Sequence, residues 1–175
     1  MGLELNMSME VLQRPAYIQN YGSRKGAAID TIVIHTMEAS IESATNLFAD
    51  PKAGCSAHYG IAKDGRVFQY VQESNAAWHC GNSIYNRRSI GIELEGKSAD
   101  PKNFTDKMME KLIPLTVEIM GRHKINLVVG HDKIPDPKNP KKKGGINHHI
   151  DPGPHFPWDS YMVMVALLGK GGKNG

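Results

Sequence analysis

The sequence predicts a single α/β domain over residues 1–175, with a central mixed β-sheet flanked by helices. Two observations lead there. Short β-branched, apolar runs alternate along the chain with stretches of helical periodicity, and such alternation packs as helices on a sheet. One pair of runs is joined by Asp64-Gly65, a hairpin signal. With 175 residues, 40% of them hydrophobic and 22% charged, the chain is long enough for one real core and ordinary in composition.

The elements follow in order. Asp30 to His35 (DTIVIH) is β-branched and nearly all apolar, the composition of a buried central strand. Ile41 to Ala49 predicts a short helix. Ala57–Lys63 and Arg66–Val71 are the arms of the hairpin, and Ser89–Leu94 (SIGIEL) is another short strand. Thr105 offers an N-cap and Asp106 suits the first turn of a helix over 106–122, where Met108, Leu112, Leu115 and Ile119 recur at helical spacing. Pro114 lies inside that helix and predicts a kink, because it removes one backbone donor and crowds the preceding turn. Leu127-Val128-Val129 reads as a further buried strand, with Gly130-His131 at its end. Residues 133–145 (KIPDPKNPKKKGG) read as a long exposed loop. Phe156–Leu168 closes the fold as a helix, with Pro157 near its start. The motif-bearing core thus runs from about 29 to 168, and residues 169–175 form a flexible basic tail.

Charge and composition exclude several classes. Residues 1–120 carry 12 basic against 14 acidic groups, residues 121–175 nine against four. A basic C-terminal third suits an anionic partner such as wall polymer, or is simply solvated loop charge. The Lys141-Lys142-Lys143 run has no interleaved aromatics, so nucleic acid is not an expected partner. Cys55 and Cys80 form no Cys-x-x-Cys pair, which argues against a thiolate zinc knuckle or a thioredoxin-type site. The N-terminal segment lacks a positive region followed by an apolar core, so no secretory signal is expected. No apolar run approaches the roughly 20 residues a membrane helix needs, so no membrane insertion is expected. A monomer is expected.

Three features carry candidate chemistry. His35 ends a strongly predicted strand, and a strand end fixes a ligand's direction rigidly. His131 ends another. The third is Asn147 to Trp158 (NHHIDPGPHFPW), which holds His148, His149, Asp151 and His155 among prolines and a glycine that stiffen or bend the backbone. Catalytic zinc takes three protein ligands and keeps one open position. Spacing alone does not choose among these groups. No His-Glu-x-x-His helix is present.

Six segments in order, IDTIVIHTMEAS, SAHYGIAKDGRVFQYV, AWHCGNS, RRSIGIELEG, VVGHDKIP and HIDPGPHFPWD, resemble the type-2 N-acetylmuramoyl-L-alanine amidase family. That family includes the cytosolic amidase that recycles anhydro-muropeptides, many phage endolysins and the animal peptidoglycan-recognition proteins. The resemblance implies one zinc ion held by His35, His131 and Asp151 at strand ends in a surface cleft. Aspartate rather than cysteine at the third position follows the recycling-type branch. It implies Glu93 as catalytic base, with Glu95 on the same strand face as the nearest confounder. It places His149 where many members carry lysine, as an oxyanion stabiliser. His58 falls where a tyrosine precedes the matching histidine in the lysozyme-like phage branch; Ala57 stands in that place, and His58 reads as structural. His79, Arg87 and Arg88 are the candidate substrate-binding residues. His123 reads as a solvated residue at a helix end, and His148 and His155 as structural flanks of the ligand loop.

The implied activity is zinc-dependent hydrolysis of the amide between the lactyl group of N-acetylmuramic acid and L-alanine. The implied partners are peptidoglycan or muropeptides. The expected setting is a phage or prophage endolysin, made in the cytoplasm and acting on the wall after release. The alternatives are a cytosolic recycling amidase and a non-catalytic peptidoglycan-binding protein.

Overall fold

The computed structural model describes residues 9–171. Its strands are β1 (Val11–Gln13), β2 (Tyr21–Ser23), β3 (Thr31–Thr36), β4 (Tyr59–Ile61), β5 (Val67–Gln69), β6 (Asn75–Ala77), β7 (Ser89–Leu94) and β8 (Leu127–Gly130). Its helices are α1 (Ile41–Ala49), α2 (Ser83–Arg88), α3 (Asp106–Arg122) and α4 (Trp158–Gly171). Six strands form one sheet in the order β1-β5-β4-β7-β3-β8, and β2 pairs with β6 in a small second sheet. Only the β4–β5 hairpin is antiparallel in the large sheet, where Asp64-Gly65 turns the chain and Gly65 takes φ +89°. The sheet is therefore mixed, as expected, and helices flank it.

β7 and β3 lie side by side within it and are its longest strands; β3 (TIVIHT) is almost continuously β-branched and apolar, whereas β7 (SIGIEL) alternates Ile and Leu with Ser, Gly and Glu. They run parallel and in register over six residues. Alternation sends Ile32 and Ile34 with Ile90, Ile92 and Leu94 to one face. There they meet Met108, Leu112, Leu115 and Ile119 of α3 and Tyr161 and Val165 of α4 in the main core. Each fully buried aliphatic side chain of α3 contributes roughly 1.5–3 kcal/mol. The other face of the same strands carries Thr31, Val33 and His35 beside Ser89, Gly91 and Glu93. It is the polar half of this pair of strands that becomes the site.

The Thr105 cap expected from the sequence is formed, and α1 carries a second, at Ser40, that the sequence reading did not name. Thr105 Oγ1 accepts from the Met108 N–H and Ser40 Oγ from the Ser43 N–H, each at 3.2 Å. Helix α3 runs as one element through Pro114. Three expectations need correction. β3 runs one residue further than expected, so His35 is its penultimate residue. β8 is not buried: it pairs only with β3 at the sheet edge, and Leu127 is exposed. The 133–145 loop is not simply solvated, because Ile134 and Asp136 are buried and pin it down. The expected flexible tail 169–175 is also corrected in part, because α4 continues to Gly171; residues 172–175 lie outside the described residues.

Candidate metal centre and cleft

Parallel registration places His35 directly beside Glu93, at the C-terminal ends of β3 and β7 and on the face away from α3 and α4. β8, on the other side of β3, ends at Gly130, and His131 opens a tight 3-10 turn immediately after it. The loop bearing Asp151 is tied to that turn by the Asp132 N–H, which donates to the Asp151 carbonyl at 3.1 Å. Glycine at position 130 permits this approach, since a Cβ there would fall 2.6 Å from Pro152 Cδ. The loop is tied a second time by His148, whose Nε2 lies 2.9 Å from buried Asp136.

These constraints bring His35, His131 and Asp151 together. All three are buried, and one ligand atom from each falls within 4.8 Å of the others. His35 Nδ1 is 3.0 Å from Asp151 Oδ2, and His131 Nδ1 is 3.2 Å from Asp151 Oδ1. Burial pushes His35 down to about 4, against the pull of Asp151, so its imidazole is neutral. Burial alone would raise the Asp151 carboxyl, but His131 and His35 beside it outweigh that and hold it well below the usual range. A buried carboxylate flanked by two imidazoles fits the donor set of a catalytic zinc. His131 Nε2 is buried without a partner.

Glu93 and Glu95 are told apart by what they touch. Glu95 Oε1 accepts from the Ile41 N–H at 3.0 Å and Oε2 from the Lys63 N–H at 2.7 Å, so it caps α1 and is committed. Glu93 Oε2 is buried with no partner, and Glu93 lines the cleft. Burial, with the like charges of Asp151 and Glu38, raises its carboxyl well above the ordinary value.

The cleft has a volume of about 960 Å³, and His149, Trp78 and Ile146 contribute to its wall. His149 stacks on His131 with ring centroids 4.7 Å apart, and its side chain is 50% exposed. His79 lines the cleft too, but its Nδ1 is 2.9 Å from His35 Nε2 and its Nε2 is 2.9 Å from Ser89 Oγ. Both ring nitrogens are thus engaged within the protein, which leaves neither free for substrate.

Arg87 and Arg88 are not brought to the cleft. They end α2, at the start of β7 and the opposite end of the sheet from Glu93. Arg88 forms a bidentate pair with Asp30, with Nε 2.8 Å from Oδ1. His58 is buried; Nδ1 accepts from the Gly91 N–H and Nε2 lies 3.0 Å from the Asn75 carbonyl, a structural role. His123 is not simply solvated, because it pairs with Glu73 at 2.7 Å. Cys55 and Cys80 are both free thiols. Sequence reading missed Ser89, Asp136 and Glu38. None of them stood in a recognisable pattern, and Glu38 enters the cleft through a left-handed backbone turn, φ +55°, that follows no glycine.

The N-acetylmuramoyl-L-alanine amidase family matches residues 25–154, a span holding all five residues of the metal centre and its neighbours His149 and Glu93. The chain belongs to that family. This amidase, a hydrolase, is 34% identical over 168 residues to N-acetylmuramoyl-L-alanine amidase A of Achromobacter lyticus, covering 89% of this chain and 93% of that protein. It is 38% identical over 114 residues to the 1,6-anhydro-N-acetylmuramyl-L-alanine amidase AmpD of Enterobacter cloacae, covering 61% of this chain. The match spans 54% of that relative, little more than half its length. Among solved structures, a selenomethionine derivative of AmpD superposes with a TM-score of 0.72 at 28% identity, over 94% of this chain and 99% of that one. The amidase LysC from Clostridium intestinale URNW superposes with a TM-score of 0.66 over 91% and 99% of the two chains; its 18% identity speaks to the fold alone. No helix among the described residues is long and apolar enough to cross a membrane.

Proposed function

We propose that this amidase hydrolyses the amide between the lactyl group of N-acetylmuramic acid and the L-alanine of the stem peptide, using zinc held by His35, His131 and Asp151. The observation that carries the reading is Glu93 Oε2, a buried carboxylate oxygen without a partner, on the strand position beside the first of three converged metal donors. Zinc bound there would supply a Lewis acid, an acidified water, and positive charge that counters Asp151 in the field felt by Glu93. Glu93 takes the proton of the attacking water. It returns that proton to the L-alanine nitrogen as the C–N bond breaks, so that one carboxyl serves as base and then acid. His149, at the cleft wall, donates a hydrogen bond to the carbonyl oxygen as negative charge develops there.

Two substrate sizes fit this chemistry. Intact wall, in the setting of a phage or prophage endolysin, is supported by the basic C-terminal third facing an anionic polymer. Soluble anhydro-muropeptide, handled in the cytosol, is supported by the relatives named for that substrate and by the aspartate ligand. Purified sacculi and soluble anhydro-muropeptides digested in parallel separate the two by the masses of the released glycans and peptides. Turnover of neither, with free peptide N-termini absent, would leave a non-catalytic peptidoglycan-binding protein.

A further inference from the structure

Ser89 Oγ lies 2.6 Å from the Tyr85 carbonyl and 2.9 Å from His79 Nε2. A carbonyl only accepts, so the single Ser89 proton goes to Tyr85 and the Ser89 oxygen is left to accept from His79 Nε2–H. His79 then carries its proton on Nε2, and its Nδ1, 2.9 Å from His35 Nε2, is an acceptor. That contact requires His35 Nε2–H. His35 Nδ1 then keeps its lone pair and faces Asp151 Oδ2 at 3.0 Å, two acceptors that need a cation at the site to sit this close. The reverse order needs Ser89 to give its proton to His79, which strips the Tyr85 carbonyl of its 2.6 Å donor.

We propose that Ser89 and His79 are positioning residues that hold His35 in its Nε2–H tautomer, so that Nδ1 is the atom presented to the metal. The proposal rests on the zinc site described above. Ligating histidines commonly anchor their second nitrogen on a carboxylate, backbone carbonyl or water; here a second imidazole does it, backed by a hydroxyl and a carbonyl. The backbone is built around this arrangement. A Cβ on Gly91 would lie 2.5 Å from His79 Cγ, so glycine in the middle of β7 makes the space in which the ring lies across the sheet from Ser89 to His35. Asn86 Oδ1 accepts from the His79 N–H at 3.2 Å and the Cys80 N–H at 3.0 Å, and fixes the backbone that carries the ring. His131 has no equivalent partner, since its Nε2 is unpaired.

The test is zinc affinity, measured by competition with a chromophoric chelator on the full chain, beside the melting temperature of the metal-free protein. His79→Phe keeps an aromatic ring and removes the acceptor; zinc binding is expected to weaken about 10–100-fold. His79→Asn retains an acceptor near the Nδ1 position and is expected to recover part of that loss. Ser89→Ala is expected to weaken zinc less than His79→Phe, and none of the three to alter the stoichiometry of one. In the zinc-loaded wild type, 15N spectra of the histidine rings are expected to show His79 protonated on Nε2 and His35 bound through Nδ1. His79 protonated on Nδ1, or His79→Phe and wild type binding zinc equally, overturns the proposal, as does equal loss in His79→Phe and His79→Asn. Should His79→Phe fail to fold, the wild-type ring spectra and Ser89→Ala decide. A wild-type protein that takes up no zinc overturns the metal assignment itself, which is distinct from normal uptake with the wrong tautomer.

Discussion

Glu73→Gln probes the polar cluster that joins the hairpin to the end of α3. Glu73 follows β5 and accepts from Tyr59 Oη at 2.8 Å, Arg122 Nη2 at 2.7 Å and Arg122 Nε at 3.1 Å, with His123 Nε2 at 2.7 Å. Its own backbone carbonyl also accepts from the Nε of the Arg24 guanidinium at 2.7 Å. Burial alone would raise the Glu73 carboxyl, but the bonds from Arg122, His123 and Tyr59 outweigh it and bring the group from 4.5 to about 2. At about 1.4 kcal/mol per unit, that shift corresponds to roughly 3 kcal/mol. The Arg122 side chain is 43% exposed, so solvent screening leaves on the order of 1–2 kcal/mol. The folded value lies below the unfolded one. The contribution is therefore complete above pH 4.5 and is lost as pH falls towards 2. Urea unfolding of wild type and Glu73→Gln at steps between pH 2 and 5.5 measures it. The gap between the two stabilities is expected to be widest at the top of that range and to close at the bottom. Parallel curves across the range would refute the reasoning.

Three further outcomes follow from the site. Glu93→Gln is expected to keep its zinc and its melting temperature while kcat falls about 10²–10⁴-fold, the range for a general acid–base group; retained turnover removes Glu93 from the mechanism. Gly91→Ala is expected to lose about 1–3 kcal/mol of stability from overpacking and also to bind zinc more weakly, because the new methyl displaces the His79 ring. Unchanged zinc affinity in a destabilised Gly91→Ala would uncouple that ring from the metal. Removing the metal with a chelator is expected to abolish hydrolysis and lower the melting temperature, with both restored by zinc; saturation at a thousand times Kd is worth about 4 kcal/mol. A chelator-resistant activity would exclude the metal-dependent reading.

Both strands that carry the chemistry were legible, but their site residues were not equally so. In β3 an apolar run marks burial and a polar residue near its end marks the rim of the sheet, so His35 stood out from the residues alone, whereas Glu93 on the alternating β7 was singled out only by the family resemblance. β8 was legible as a strand but not as an edge, since Leu127-Val128-Val129 has the composition of an interior strand and only pairing reveals that one side is open. The short strands β1, β2 and β6 of three residues each lacked any periodicity, and their existence depends on partners far along the chain, as in the pairing of Tyr21 with Ala77. Glu95 and Glu93 were equivalent in sequence. What separates them is the position of the α1 N-terminus, whose Ile41 N–H claims Glu95, and no local pattern states that. The same holds for Asp136, whose burial and bond to His148 convert a lysine-rich loop into a brace for the ligand loop.

Arg88 shows where family-guided reading and geometry part. Its guanidinium could meet a substrate carboxylate bidentately, which made it a candidate beside the plainer reading of a surface arginine, but only the C-terminal end of β7 reaches the cleft. At the other end Arg88 meets Asp30 through two parallel hydrogen bonds, joining the residue before β3 to the residue before β7. That pair holds the Asp30 carboxyl below its ordinary range, chiefly through the hydrogen bond from Arg88. It is partly exposed, 39% on the Arg88 side chain and 23% on Asp30, so Arg88→Ala is expected to cost about 1 kcal/mol rather than the several of a buried pair. Because the pair closes the ends of β3 and β7 remote from His35 and Glu93, KM and kcat are expected to stay at wild-type values. Steady-state kinetics on a soluble muropeptide together with urea unfolding measure both. A raised KM with unchanged stability would return Arg88 to the substrate, and would require the stem peptide to extend around the edge of the sheet to the far end of β7.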